Sequence, residues 1–172
     1  QGGIDKIEKK NFKKIYSFLY SGSLGPWIDI EKFILDFLKF EKEKIKFFIT
    51  SNDKKYFQKN LNFNNKKIKF LGFKKNRDFN KLSRKIDVFV NLRDENNLNN
   101  SNNFPSKILH YLKYCKPIIS TDQLSYSKEL RKILLLKKKN KSYEELIKKA
   151  IKFDKKFLLR KYNQSKKIIK EY

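Results

Sequence analysis

DVFVNLRDENNLNNSNNFPSKILHYLKYCKPIIST, residues 87–121, holds an apolar run, a polar loop, an amphipathic run and a second β-branched run in one stretch. Residues 87–93 are apolar almost throughout, as in a strand covered on both faces of a parallel sheet. Residues 94–103 are too polar to pack and make a loop at the end of that strand. Pro105 suits the first turn of a helix, where its missing N–H costs nothing, and residues 116–121 read as the next strand. This succession is a βαβ unit.

The same alternation extends upstream. IYSFLYSG (15–22) is a short apolar-aromatic run ended by glycine, a buried strand. After the loop SGSLGPW, the helix DIEKFILDFLKFEKE has apolar residues at 30, 33, 34, 37 and 38, with Asp29 placed to cap it. KIKFFITSND is a second strand, DKKYFQKNL a short helix, KKIKFLGF a third strand ending at Gly72, and NRDFNKLSRKI a further helix. Downstream, KILLLKKK (132–139) reads as a sixth strand, and SYEELIKKAIKFDKKF and LLRKYNQSKKIIKEY as closing helices, Ser142 and Glu145 forming a capping box. The predicted fold is α/β: a Rossmann-like, doubly wound parallel sheet of about six strands with helices on both faces, one domain over residues 14–172 after a lead-in at 1–13. Ligands of such sheets sit beyond the carboxyl ends of the strands. That singles out the loops 21–27, 50–53, 72–76, 93–107 and 121–127.

Composition narrows the function classes. A chain of 172 residues, 39% hydrophobic, can bury the core of one domain. The net charge of +25 points to an anionic partner. Of the 43 basic residues only Arg77, Arg84, Arg93, Arg131 and Arg160 are arginine, and Ala150 is the sole alanine. Lys, Asn, Ile, Phe and Tyr abound, all with AT-rich codons, so genome composition accounts for part of the excess lysine. The rest leaves a nucleotide, an anionic membrane surface or a nucleic acid open. Phe63, Phe70 and Tyr126 are aromatics able to stack on bases, but lysines spread along the whole chain and scarce arginine argue against a nucleic-acid module. Cys115, the single cysteine, excludes an intramolecular disulfide and is expected to be a small buried hydrophobe in a reducing compartment. No membrane-spanning run or secretory signal pattern is present, so a cytoplasmic protein is expected. Gln1-Gly2-Gly3 resembles the scar of a removed tag, and the chain is expected to be a piece of a longer one.

Three places suit a phosphate-bearing ligand. Gly22 and Gly25 let the backbone approach an anion and Ser23 adds a hydroxyl, although the loop is not a complete G-x-G-x-x-G fingerprint. At residues 104–107, free amides and the positive end of a helix meet the Ser106 hydroxyl and the Lys107 ammonium. Arg93, leaving the adjoining strand, adds a bidentate donor.

Asn91-Leu92-Arg93, then Phe104-Pro105-Ser106-Lys107-Ile108-Leu109-His110-Tyr111-Leu112, then Cys115-Lys116-Pro117-Ile118-Ile119-Ser120, resemble the nucleotide-sugar-binding half of GT-B glycosyltransferases. The likeness is to the retaining family 4 group, which carries Asn-x-Arg, Phe-Pro-Ser-Lys-x-x-Glu-Tyr-Leu and Gly-Lys-Pro-(Val/Ile)-Ile-Ser, and it runs over residues 15–120. It implies a C-terminal donor domain binding a sugar diphosphonucleotide such as a UDP- or GDP-hexose, with the base near Gly72 and Phe73. It places the diphosphate over Gly22, Ser23, Phe104, Pro105 and Ser106, the ribose by His110, and Arg93 and Lys107 on the leaving diphosphate. An N-terminal acceptor-binding domain is the implied partner, a cell-surface polysaccharide the implied product. His110 and Asn102 stand where the family has glutamates, and Ser23 and Ile28 where its first loop has Arg and Lys. With no cluster of carboxylates or histidines, the expectation is a metal-independent reaction with no cofactor. A non-catalytic adaptor that has lost donor binding is the alternative.

Overall fold

Side chains alternate across an extended backbone, and the central strands show it. In β1 (Tyr16–Ser21), Phe18 and Tyr20 join the core on one face and Leu19 the core on the other. In β4 (Val88–Asn91), Val88 and Val90 face one side and Phe89 the other. Burial on both faces is why these strands read as continuous apolar runs. With β2 (Ile45–Thr50), β3 (Ile68–Phe70), β5 (Ile118–Thr121) and β6 (Leu135–Lys137) they form one six-stranded sheet in the order β3-β2-β1-β4-β5-β6, every pair parallel. This computed structural model describes residues 16–61, 64–94, 106–152 and 163. The lead-in at 1–13, Phe63, most of the Asn-rich loop with Asn102, Phe104, Pro105 and most of the last closing segment lie outside the described residues.

Helices α1 (Ile30–Leu38) and α6 (Glu144–Ile151) cover the face bearing Phe18, Phe47 and Val90. There Phe33 lies 5.0 Å from Phe47 and 5.2 Å from Tyr143, ring centre to centre. The short α2 (Lys54–Tyr56) runs into a π-helical turn (Phe57–Leu61) on the same side, where Leu61 is buried. Helices α3 (Asn76–Lys85), α4 (Lys107–Leu112) and α5 (Lys128–Ile133) cover the other face, where Tyr111 stacks on Phe89 at 4.4 Å. The change of side falls between β1 and β4, which are neighbours in the sheet. The loops after these strands leave toward opposite faces and open a crevice at their carboxyl ends. Among the described residues no helix is long and apolar enough to cross a membrane.

Several local expectations are corrected. Asp29 precedes α1 but makes no capping bond. It is buried instead, its Oδ2 accepting from the Tyr143 hydroxyl at 2.7 Å and facing Lys137 Nζ at 3.5 Å, with Lys32 Nζ 3.2 Å from Oδ1. No capping box forms at Ser142: its hydroxyl accepts the Glu144 N–H at 3.4 Å, Tyr143, the residue before α6, donates its N–H to Asp36 Oδ2 at 2.8 Å, and Glu145 pairs with Lys148. At Asp29, tertiary partners thus take the carboxylate that local capping would have used. Only Leu135–Lys137 of the 132–139 run is strand, because α5 continues through Ile133. Cys115 is half-buried and takes φ +53°, the left-handed conformation that ends α4, a position where the resembling family has glycine. Tyr126 is buried, with its hydroxyl bonded to Asn91 and Ser120, and Phe70 is half-buried with one face stacked on Phe57 at 4.7 Å.

Candidate functional site

The crevice begins with the loop after β1. Gly22 sits at φ +156° and donates its N–H to the Thr50 carbonyl at 3.0 Å. The Tyr20 hydroxyl donates to the Ser23 carbonyl at 2.7 Å, and the Leu24 N–H donates to Asp53 Oδ2 at 2.7 Å, which also receives the Ser51 hydroxyl at 3.0 Å. Two loop amides that an anion would seek are therefore engaged with the protein. Ser23 keeps its place on the cavity wall.

Opposite this loop, Ser106 and Lys107 open α4. The Ser106 side chain makes no capping bond. A β-carbon at Gly22 would collide with Lys107 Nζ, so glycine there makes room for the ammonium. Ser23, Arg93, Ser106 and Lys107 line one small cavity of about 160 Å³, against Tyr20, Trp27 and Asn91. Burial, and then the Arg93 charge, lower the Lys107 pKa, while burial holds the Tyr20 hydroxyl well above its usual range. Two cations thus confront each other in a space that an anion would relieve.

The strand end carrying Arg93 is held from below. The Asn91 amide donates to Ser120 Oγ and Tyr126 Oη, both at 3.1 Å, and those hydroxyls are 2.8 Å apart. The Arg93 N–H donates to Thr121 Oγ1 at 3.0 Å. Burial pushes the Tyr126 hydroxyl up to about 12, so it stays a protonated partner. Asp94 N–H donates to the Trp27 carbonyl at 2.9 Å, tying the two loops of the crevice together.

Past Lys107 the space widens into a cleft of about 450 Å³ whose wall includes Gly22, Ser23, Asp53, Phe73, Lys107 and His110. Phe73 is 64% exposed, an apolar ring held in solvent at the rim. The buried Thr50 hydroxyl, also on the wall, has no hydrogen-bond partner among the described residues. Gly72 turns the chain at φ +66° just before Phe73. Among the described residues no three of His, Cys, Asp and Glu gather as a metal-holding group.

Of the residues singled out in the sequence, Gly22, Ser23, Phe73, Arg93, Ser106, Lys107 and His110 surround these two adjoining spaces. Gly72 stands beside Phe73, and Phe104 and Pro105 lie outside the described residues. The loop 121–127 lines neither space, because Tyr126 turns inward to Asn91. Sequence reading passed over Asp53, Thr50, Tyr20 and Lys74, all within or beside the marked loops.

No family model and no curated protein matches the chain. Solved structures do. Anabaena HepE in complex with UDP-glucose is similar at a TM-score of 0.70 and 14% identity, over 92% of this chain and 44% of that one. WaaG, a glycosyltransferase involved in lipopolysaccharide biosynthesis, gives 0.68 and 13% over 93% and 44%. The C-terminal domain of the glycosyl transferase group 1 family protein LpcC from Francisella tularensis gives 0.62 and 15%, over 91% of this chain and 85% of that domain. The fold is that of one domain of GT-B glycosyltransferases. The chain spans less than half the length of HepE and WaaG.

Proposed function

We propose that this chain is the C-terminal, donor-binding domain of a family 4-like retaining GT-B glycosyltransferase, which moves a hexose from a sugar diphosphonucleotide to a glycan or lipid-linked acceptor. The observation that carries this is the meeting of Ser23, Arg93, Ser106 and Lys107 on one cavity at the carboxyl ends of β1 and β4. Supporting it, HepE, similar in fold, was crystallised with UDP-glucose, and the chain matches most of the LpcC C-terminal domain.

In this reading the bond between the sugar's anomeric carbon and the diphosphate oxygen breaks, and negative charge grows on the departing nucleoside diphosphate. Lys107 and Arg93 neutralise it, with the Ser23 and Ser106 hydroxyls donating to phosphoryl oxygens. Because burial and Arg93 work against the charge on Lys107, an entering dianion restores the favoured state of that ammonium. Protein cations then do what a divalent ion does elsewhere. The acceptor would be held by an N-terminal domain of the same protein, so the domain alone binds donor and turns nothing over. A lysine-rich surface suits a protein working beside an anionic bilayer, where lipid-linked acceptors reside.

Calorimetry with UDP, GDP and inorganic phosphate at moderate salt tests the reading. One nucleoside diphosphate binding in preference to phosphate supports it; equal or absent binding of all three removes it.

A further inference from the structure

Resting on the donor-binding reading, we propose that Tyr114 and Asn80 fix the tautomer of His110 so that its Nδ1 accepts a hydrogen bond from a hydroxyl of the nucleotide's pentose. The Tyr114 hydroxyl has one proton to give, and it donates to Asn80 Oδ1 at 2.7 Å. Its other contact, to His110 Nε2 at 3.3 Å, must then use the phenol oxygen as acceptor. Nε2 therefore carries the ring hydrogen, and Nδ1 is left as a lone pair with no protein partner among the described residues. The ring is also held in place, its centre 5.3 Å from that of Phe79 on α3 and 5.5 Å from that of Tyr114.

His110 comes one helical turn after Lys107 on the same cleft wall, about 5 Å along the axis. That is about the distance from a phosphate to the pentose it esterifies. A diphosphate on Lys107 thus brings sugar hydroxyls to the imidazole. Where the resembling family has a carboxylate, an acceptor without a proton, the relay gives a neutral ring the same capability. The charges around the ring favour neutrality: burial, then Lys113 on its own helix, lower its pKa. Lys107 and Lys74 face the cleft with it, opposed by Asp53, and α3 contributes the uncharged Asn76, Phe79 and Asn80.

His110 is the only histidine, so its ring nitrogens are read without ambiguity in ¹⁵N NMR of the free chain. The expected spectrum at neutral pH is the Nε2–H tautomer, giving way to a mixture in Tyr114→Phe. Calorimetry then compares whichever of UDP or GDP binds the chain with its 2′,3′-dideoxy analogue. The wild type should prefer the parent nucleotide by about tenfold, one hydrogen bond's worth. His110→Phe should erase the preference, His110→Glu keep it and Tyr114→Phe reduce it, each read as the ratio of the two nucleotides' affinities within one variant. An Nδ1–H tautomer, or a His110→Phe chain with the wild-type preference, overturns the proposal while leaving the donor-binding reading intact. Absence of binding to UDP and GDP alike overturns both.

Discussion

The Lys107 ammonium occupies the space that a β-carbon on Gly22 would fill. Two segments from different strands, the turn after β1 and the start of α4, are matched atom against atom at the mouth of the cleft. Gly22→Ala is therefore expected to displace Lys107, lowering nucleoside diphosphate affinity roughly tenfold or more. The strained φ of +156° should cost about 1–3 kcal/mol of stability as well. Calorimetry and urea denaturation on the same protein separate the two effects. Unchanged affinity would show that the lysine acts from elsewhere.

The buried group formed by Asp29, Lys137 and Tyr143 should be the most sensitive polar spot outside the cleft. Asp29→Asn removes the carboxylate facing Lys137, and a loss of about 3–5 kcal/mol is expected. Tyr143→Phe, which deletes only the hydroxyl donated to Asp29, should cost about 1–3 kcal/mol. The double variant should lose less than the sum, as partners in one network do; urea midpoints that add simply would contradict the coupling.

Cys115→Gly is expected to hold or raise stability, by up to about 1 kcal/mol, since glycine adopts φ +53° without the clash that an L side chain meets. A clear loss in thermal unfolding would mean that the thiol contributes more than its strained backbone costs.

Much of the fold was legible because its signals are local. IYSFLYSG read as a buried strand and DVFVNLR as one covered on both faces, and the βα alternation dictates a parallel sheet whose ligands lie at the carboxyl ends. The crevice is there, and four of the five marked loops reach it. Less legible was every polar contact between distant residues. Asp29 and Tyr143 are 114 positions apart and Leu24 and Asp53 29 apart, and nothing near Asp29 signals that a distant tyrosine takes its carboxylate from the helix it precedes. Tyr126 looked free to stack because the sequence does not show that Asn91 and Ser120 draw its hydroxyl inward.

The stability of the chain should rise with pH through the window just below 6.5, the ordinary histidine value. Folding lowers the His110 pKa by burial and by Lys113, so the unfolded chain binds the extra proton there and gains on acidification. His110→Gln should flatten that slope in urea midpoints measured across the window. An unchanged slope would assign it to other groups.

The central claim is that Arg93 and Lys107 act together on one diphosphate. Titrating whichever of UDP or GDP binds the wild type into Lys107→Ala and Arg93→Ala tests it most directly. Each variant should lose about 10–100-fold in affinity, the size of a charge-assisted hydrogen bond, with its urea midpoint unmoved. Wild-type affinity in both variants would contradict the account.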